Sequence, residues 1–163
     1  MTKRIIIGLS IILSSNHGFC QSDEELTPVE IAYRDSIALL NADNARTSAS
    51  QEAYNEGINL FEQKKFKESI GKFDLAIKGD TLFQFAFYNK GIAQIEIKKY
   101  AEAISTFTAL IKLNDEHEMA YFNRARAYQE SKYLTEAIAD YNQVLFFNPK
   151  NEMALYNSGV AWF

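Results

Sequence analysis

Tyr88-Asn89-Lys90-Gly91, then Tyr100-Ala101-Glu102-Ala103-Ile104, then Phe107, is the stretch whose reading decides the fold. Step 34 residues in either direction and the same pattern returns. Asn55, Asn89, Asn123 and Asn157 each follow an aromatic (Tyr54, Tyr88, Phe122, Tyr156). Two residues after each asparagine comes a small residue: Gly57, Gly91, Ala125 and Gly159. Downstream, Glu68-Ser69-Ile70, Glu102-Ala103-Ile104 and Glu136-Ala137-Ile138 repeat one motif, and an aromatic stands three residues beyond each isoleucine at Phe73, Phe107 and Tyr141. The apolar pairs Ala76-Ile77, Leu110-Ile111 and Val144-Leu145 follow. Two prolines and seven glycines in 163 residues leave few breaks, so long regular elements are expected.

A fixed period of this length marks a unit that cannot bury its apolar face alone and stacks on its own copies. Small residues let the two helices of a hairpin approach closely, and the aromatics are expected to fill the wedge between one hairpin and the next.

On these residues the chain resembles the tetratricopeptide repeat family, in a bacterial exported form. The resemblance covers Ser50 to Phe163, with repeats over 50–83, 84–117 and 118–151 and a partial unit over 152–163. Pro149 stands where the family usually has proline, while Thr81 and Asp115 replace it in the other units. The resemblance implies an all-α, right-handed solenoid of helix–turn–helix hairpins, about 3.5 repeats plus an N-terminal helix. It also implies a concave groove lined by the first helix of each unit. Helical spacing places Gln51, Tyr54, Asn55, Ile58 and Glu62 on that face, then Phe85, Tyr88, Asn89, Ile92 and Glu96. Met119, Phe122, Asn123, Arg126 and Glu130 follow, and then Met153, Tyr156, Asn157 and Val160.

Two polar ladders run through this face. The asparagines either grip the backbone of an extended peptide, donor and acceptor together, or bond locally within the helices. Glu62, Glu96 and Glu130 either stay solvated or favour a basic or neutral ligand. Family members that clamp the C-terminal carboxylate of chaperones use cations on these helices. Asn89 fits one of those places, but Tyr54, Ile58, Met119 and Asn123 occupy the others, so that activity is not expected.

Ahead of the array, Thr27, Pro28 and Glu30 form a helix-start signal, and Val29, Tyr33, Ile37 and Leu40 share one face. These predict a helix ending near Asn41, a loop over 41–48, and packing of the helix on the N-terminal end of the array. The alternative is that its apolar face lies in the groove. Earlier still, Lys3 and Arg4 precede an apolar run from Ile5 to Leu13 and a polar stretch to Cys20. That order is expected of a secretory signal peptide over 1–20, too short for a membrane span of roughly 20 apolar residues. Two fates are open: cleavage after Cys20, or lipidation of Cys20. The expected location is exported: periplasmic, outer-membrane-associated or secreted, in a Gram-negative bacterium.

Without Lys3 and Arg4 the 17 basic residues fall short of the 21 acidic ones by about six charges, which argues against nucleic acid and anionic membrane surfaces as partners. Cys20 is the only cysteine, so the array has no disulfide or thiolate chemistry. His117, between Glu116 and Glu118, reads as a solvated turn. No phosphate loop, nucleophile elbow or paired-histidine motif occurs. The chain reads as a non-enzyme with no cofactor and no metal. It is expected to bind an extended protein or peptide segment of an envelope or secreted partner, or alternatively to serve as a scaffold subunit of an envelope assembly. Trp162 and Phe163 at the end of the partial unit suggest a piece of a longer array, or self-association through the C-terminal helix.

Overall fold

Repeat-spaced small and aromatic residues produce paired helices, and the computed structural model describes residues 28–162 of them. Seven helices and no strand occur among the described residues: α1 Pro28–Glu62, α2 Phe66–Gly79, α3 Gln84–Glu96, α4 Tyr100–Leu113, α5 Glu118–Glu130, α6 Leu134–Phe147 and α7 Glu152–Trp162. Compactness divides the chain at Ser36–Ile37, and the array lies in the second unit. There the C-terminal half of α1 pairs with α2, α3 with α4, and α5 with α6, while α7 packs on α6. Helices α1, α3, α5 and α7 are the first helices of their units, called A below, and α2, α4 and α6 are the second, called B.

Each hairpin closes on a glycine or alanine facing an aromatic. A Cβ placed on Gly57 would meet the Phe73 ring at 2.6 Å, and one on Gly91 would meet Phe107 at 2.5 Å. Phe73, Phe107 and Tyr141 are fully buried. The aromatics therefore key into their own hairpin. Phe107 also shares a cluster with Ala120 and Ala127 of α5, so the expected role between hairpins is added to the one within. Fully burying such a ring contributes roughly 1.5–3 kcal/mol.

The A-to-B turns repeat to the residue. Lys64, Lys98 and Lys132 adopt φ of 60°, 61° and 67°. Lys65 N–H donates to Leu60 C=O while Lys64 N–H donates to Phe61 C=O, and the next two turns repeat this pair from Lys99 to Gln94 with Lys98 to Ile95, and from Tyr133 to Tyr128 with Lys132 to Gln129. This is the paired bonding of a Schellman cap, which satisfies the last helix carbonyls. A lysine held left-handed costs about 1–2 kcal/mol relative to the right-handed form, so the two bonds and the docking of the next helix must outweigh it.

One expectation is corrected. No loop interrupts 41–48: α1 runs unbroken through Asn41. The segment is polar but holds neither glycine nor proline, and Ala42, Ala45, Arg46 and Ala49 favour helix. Thr47 and Ser50 donate to the carbonyls of Asp43 and Arg46 at 2.7 and 2.9 Å, satisfying their hydroxyls without leaving the helix. Ile37 and Leu40 are 40% and 56% exposed, so these two do not supply the expected packing face. The leader, Cys20 and Thr27 lie outside the described residues, as do Phe163 and the side chains of Val29, Tyr33 and Trp162.

Candidate functional site

The helix-A face is built rung by rung. Tyr54, Tyr88 and Phe122 lean on the B-helix aromatics of their own units, Phe73, Phe107 and Tyr141, at 5.9, 6.2 and 5.8 Å between ring centres. The hydroxyls of the two tyrosines serve the next unit. Asn89 donates to the Tyr54 hydroxyl at 3.0 Å and to the Phe85 carbonyl one turn back at 3.0 Å. Asn123 repeats the arrangement with Tyr88 at 3.3 Å and Met119 C=O at 2.9 Å. Burial is the first cause of the raised Tyr54 pKa, with the Asn89 bond acting against it. Asn55 accepts from Gln51 at 3.0 Å. Asn89 and Asn123 thus bond within their own helix and to the preceding helix A, while Asn55 bonds within its own.

Exposure separates the expected site residues. Asn123 is buried, 2% exposed, and its Oδ1 accepts from Arg126 Nη1 at 3.1 Å. Asn89, Tyr88, Ile58, Ile92, Tyr54, Phe122 and Asn157 are half-buried, while Asn55 and Arg126 are exposed. Phe85, Met119 and Tyr156 stand out at 69%, 46% and 70% exposed, and Met153 joins them at 61%.

Cavities mark both ends of the A helices. At their N-terminal ends, one of about 520 Å³ is lined by Phe85 with Leu82, Phe83 and His117, and one of about 180 Å³ by Met119, Phe122, Asn151 and Met153. At the C-terminal end of α5 lies a polar cavity of about 330 Å³, lined by Ile95, Lys98, Tyr100, Arg126, Gln129, Glu130, Tyr141 and Asn157. In it, Tyr100 donates to Glu130 at 3.4 Å and Tyr141 to Gln129 at 2.9 Å. Burial first, against Arg126 and an Asn157 hydrogen bond, pushes the Tyr141 phenol up to about 12.

Of this cavity the sequence reading had Arg126, Asn157 and Glu130 but missed Ile95, Lys98, Tyr100, Gln129 and Tyr141. A signal for Tyr141 was present: it replaces the phenylalanine of Phe73 and Phe107, as Arg126 replaces the isoleucine of Ile58 and Ile92. His117 is corrected too. It caps α5 by accepting from Ala120 N–H at 3.2 Å, and its ring stacks on Tyr88 at 5.7 Å. Among the described residues no group of three His, Cys, Asp or Glu side chains could hold a metal ion.

Behind the face, an ion-pair position repeats at 56, 90 and 124. Glu56 pairs with Lys72, and Lys90 reaches Asp74 at 2.6 Å. Arg124 grips both oxygens of Asp140 at 2.7 and 2.8 Å and donates to Thr108 at 3.0 Å. Burial opposes the Arg124 charge, but the bonds and charge of Asp140 outweigh it and raise its pKa.

Residues 86–117 and 120–151 match the tetratricopeptide repeat family model. No curated protein sequence matches the chain significantly. Among solved structures, the first TPR domain of Spaghetti (RPAP3), bound to the HSP90 peptide SRMEEVD, is 26% identical at a TM-score of 0.68, covering 71% of this chain and 92% of that one. The first TPR domain of human RPAP3 is 26% identical at 0.65, over 70% of this chain and 90% of the other. The Arabidopsis OM64 TPR domain is 22% identical at 0.68, over 71% and 96%. The helices from the C-terminal half of α1 to α7 form an all-α solenoid of the tetratricopeptide repeat kind, and residues 86–117 and 120–151 are similar to that family in sequence.

Proposed function

We propose that the array is a non-catalytic protein–protein interaction module whose A helices capture an extended peptide segment of an envelope or secreted partner. One observation carries the reading. Phe85, Met119 and Met153, one per repeat, remain 69%, 46% and 61% exposed beside recesses at the same register. Apolar side chains aligned in a row beside recesses offer a partner a continuous contact line, which singly scattered ones do not. Packed helices lie 8–10 Å apart, and an extended chain rises about 3.3 Å per residue. The row therefore fits apolar ligand residues roughly every third position. Asn89, with its amide nitrogen anchored, turns its Oδ1 to the ligand backbone. Asn123 acts through Arg126, and Tyr54, Asn55, Ile58, Tyr88, Ile92, Phe122, Tyr156 and Asn157 complete the walls.

The solved relative of 26% identity with a bound peptide supports this use of the fold. Its chaperone-derived ligand is not carried over, since Tyr54, Ile58, Met119 and Asn123 offer no cationic clamp. The envelope setting rests on the charge and apolarity of residues 1–20. No helix of the described residues is long and apolar enough to cross a membrane.

A second reading, a scaffold subunit joined through α7, is favoured by Leu155, Tyr156 and Val160, which are 52%, 70% and 47% exposed. Selection of displayed random peptides on the full chain tests the choice. Enrichment of peptides with spaced apolar residues, lost in Phe85→Ala/Asn89→Ala at an unchanged Tm, supports the binder. Equal enrichment on that variant discards the groove and leaves the scaffold.

A further inference from the structure

The repeat breaks its own pattern at two positions, and both breaks meet in one cavity. Ile58, Ile92, Arg126 and Val160 are equivalent, so a guanidinium stands in an aliphatic row. Phe73, Phe107 and Tyr141 are equivalent, so a hydroxyl is added at the third. The other units fill these two positions with apolar side chains alone, so both changes add polar groups to an otherwise apolar pattern. Arg126 and Tyr141 both line the 330 Å³ cavity. We propose that this cavity receives a single acidic side chain of the captured segment, with Arg126 as its partner.

The local chemistry selects that ligand. Arg126 has five N–H donors and gives one to Asn123 Oδ1, whose own amide is tied to Met119 and Tyr88; this holds the guanidinium in place. Among the described residues no carboxylate lies within 4.0 Å of it. Glu130, one turn further along the same face, is engaged by the Tyr100 hydroxyl instead. Gln129 gives its oxygen to Tyr141 and keeps its NH₂ for a ligand. Lys98 and Arg126 against Glu130 leave the wall one positive charge in excess, which one carboxylate neutralises. The volume suits one or two residues of a chain. This deepens the peptide-binding reading and rests on it.

The test uses labelled peptides with blocked ends: a shared apolar frame carrying Glu, Gln or Lys at one scanned position, plus the Gln peptide with a free C-terminus. Fluorescence anisotropy on the full chain gives each Kd. A charge-assisted bond predicts at least about fivefold tighter binding of Glu than Gln at its best position, shrinking between low and high salt. Arg126→Ile, which restores the residue of the first two units, should bring the Glu and Gln peptides to equal Kd. Arg126→Gln serves as the second variant if Arg126→Ile lowers the Tm. A Glu preference that survives both variants overturns the proposal. So does a preference for Gln, for Lys or for the free C-terminus over the acidic side chain. Binding with no charge preference defeats this inference alone, whereas no binding by any peptide defeats the peptide-binding reading with it.

Discussion

The α3–α4 and α5–α6 hairpins occupy equivalent stretches of the repeat, yet different chemistry holds each together. In the first, Gly91 leaves room for the Phe107 ring, and the buried polar contact is Thr106 to Gln94 at 2.8 Å. In the second, Ala125 and Tyr141 replace that pair, and Arg124 binds Asp140 with side-chain exposures of 15% and 9%. Lys90, the counterpart of Arg124, reaches back to an Asp74 that is 52% exposed. One backbone frame therefore accepts either a neutral interior or a charged one. The charged hairpin is also the one that opens a polar cavity.

The largest expected effect tests the ion pairs. Asp140→Ala leaves a guanidinium partly buried without its carboxylate and should cost about 3–5 kcal/mol in urea denaturation. Asp74→Ala removes an exposed pair and should cost no more than about 1 kcal/mol. Similar losses would erase the contrast. Next comes the glycine slot. Gly91→Ala drives a methyl into the Phe107 ring and should destabilise by about 1–3 kcal/mol. Ala125→Gly, which removes a fully buried methyl beside Tyr141, should cost about 1–2 kcal/mol through lost burial and helix propensity, with no clash to relax. The last effect is absent at neutral pH, where it is the smallest of the three. The Tyr141 phenol titrates near 10 when unfolded and near 12 when folded, so the folded state holds the proton longer. Its stabilisation is complete below pH 10 and falls as pH rises towards 12, by at most about 1.4 kcal/mol per pH unit. Tyr141→Phe should flatten that alkaline slope in thermal melts, making the third hairpin behave like the second.

The period was legible because packing enforces it. Gly57 and Gly91 cannot carry a Cβ while Phe73 and Phe107 keep their places. The continuation of α1 was not legible, because polar residues at 41–48 look like a loop until their hydroxyls find helix carbonyls. The site was half legible. Helical spacing marked Phe85, Met119 and Arg126, but it could not show that Asn123 is spent on Tyr88, Met119 and Arg126. Tyr100 and Tyr141 come from B helices, so no count along an A helix could reach them.

The turns at Lys64, Lys98 and Lys132 also set how such a chain can change in length. Each is closed by two backbone bonds with fixed residue separations. One inserted residue would break both and rotate the following helix by about 100°, carrying Phe107 out of its slot at Gly91. Single-residue insertions and deletions are therefore costly at these turns. Duplication or loss of a whole 34-residue unit, by contrast, leaves every such turn intact and brings each knob with its own socket.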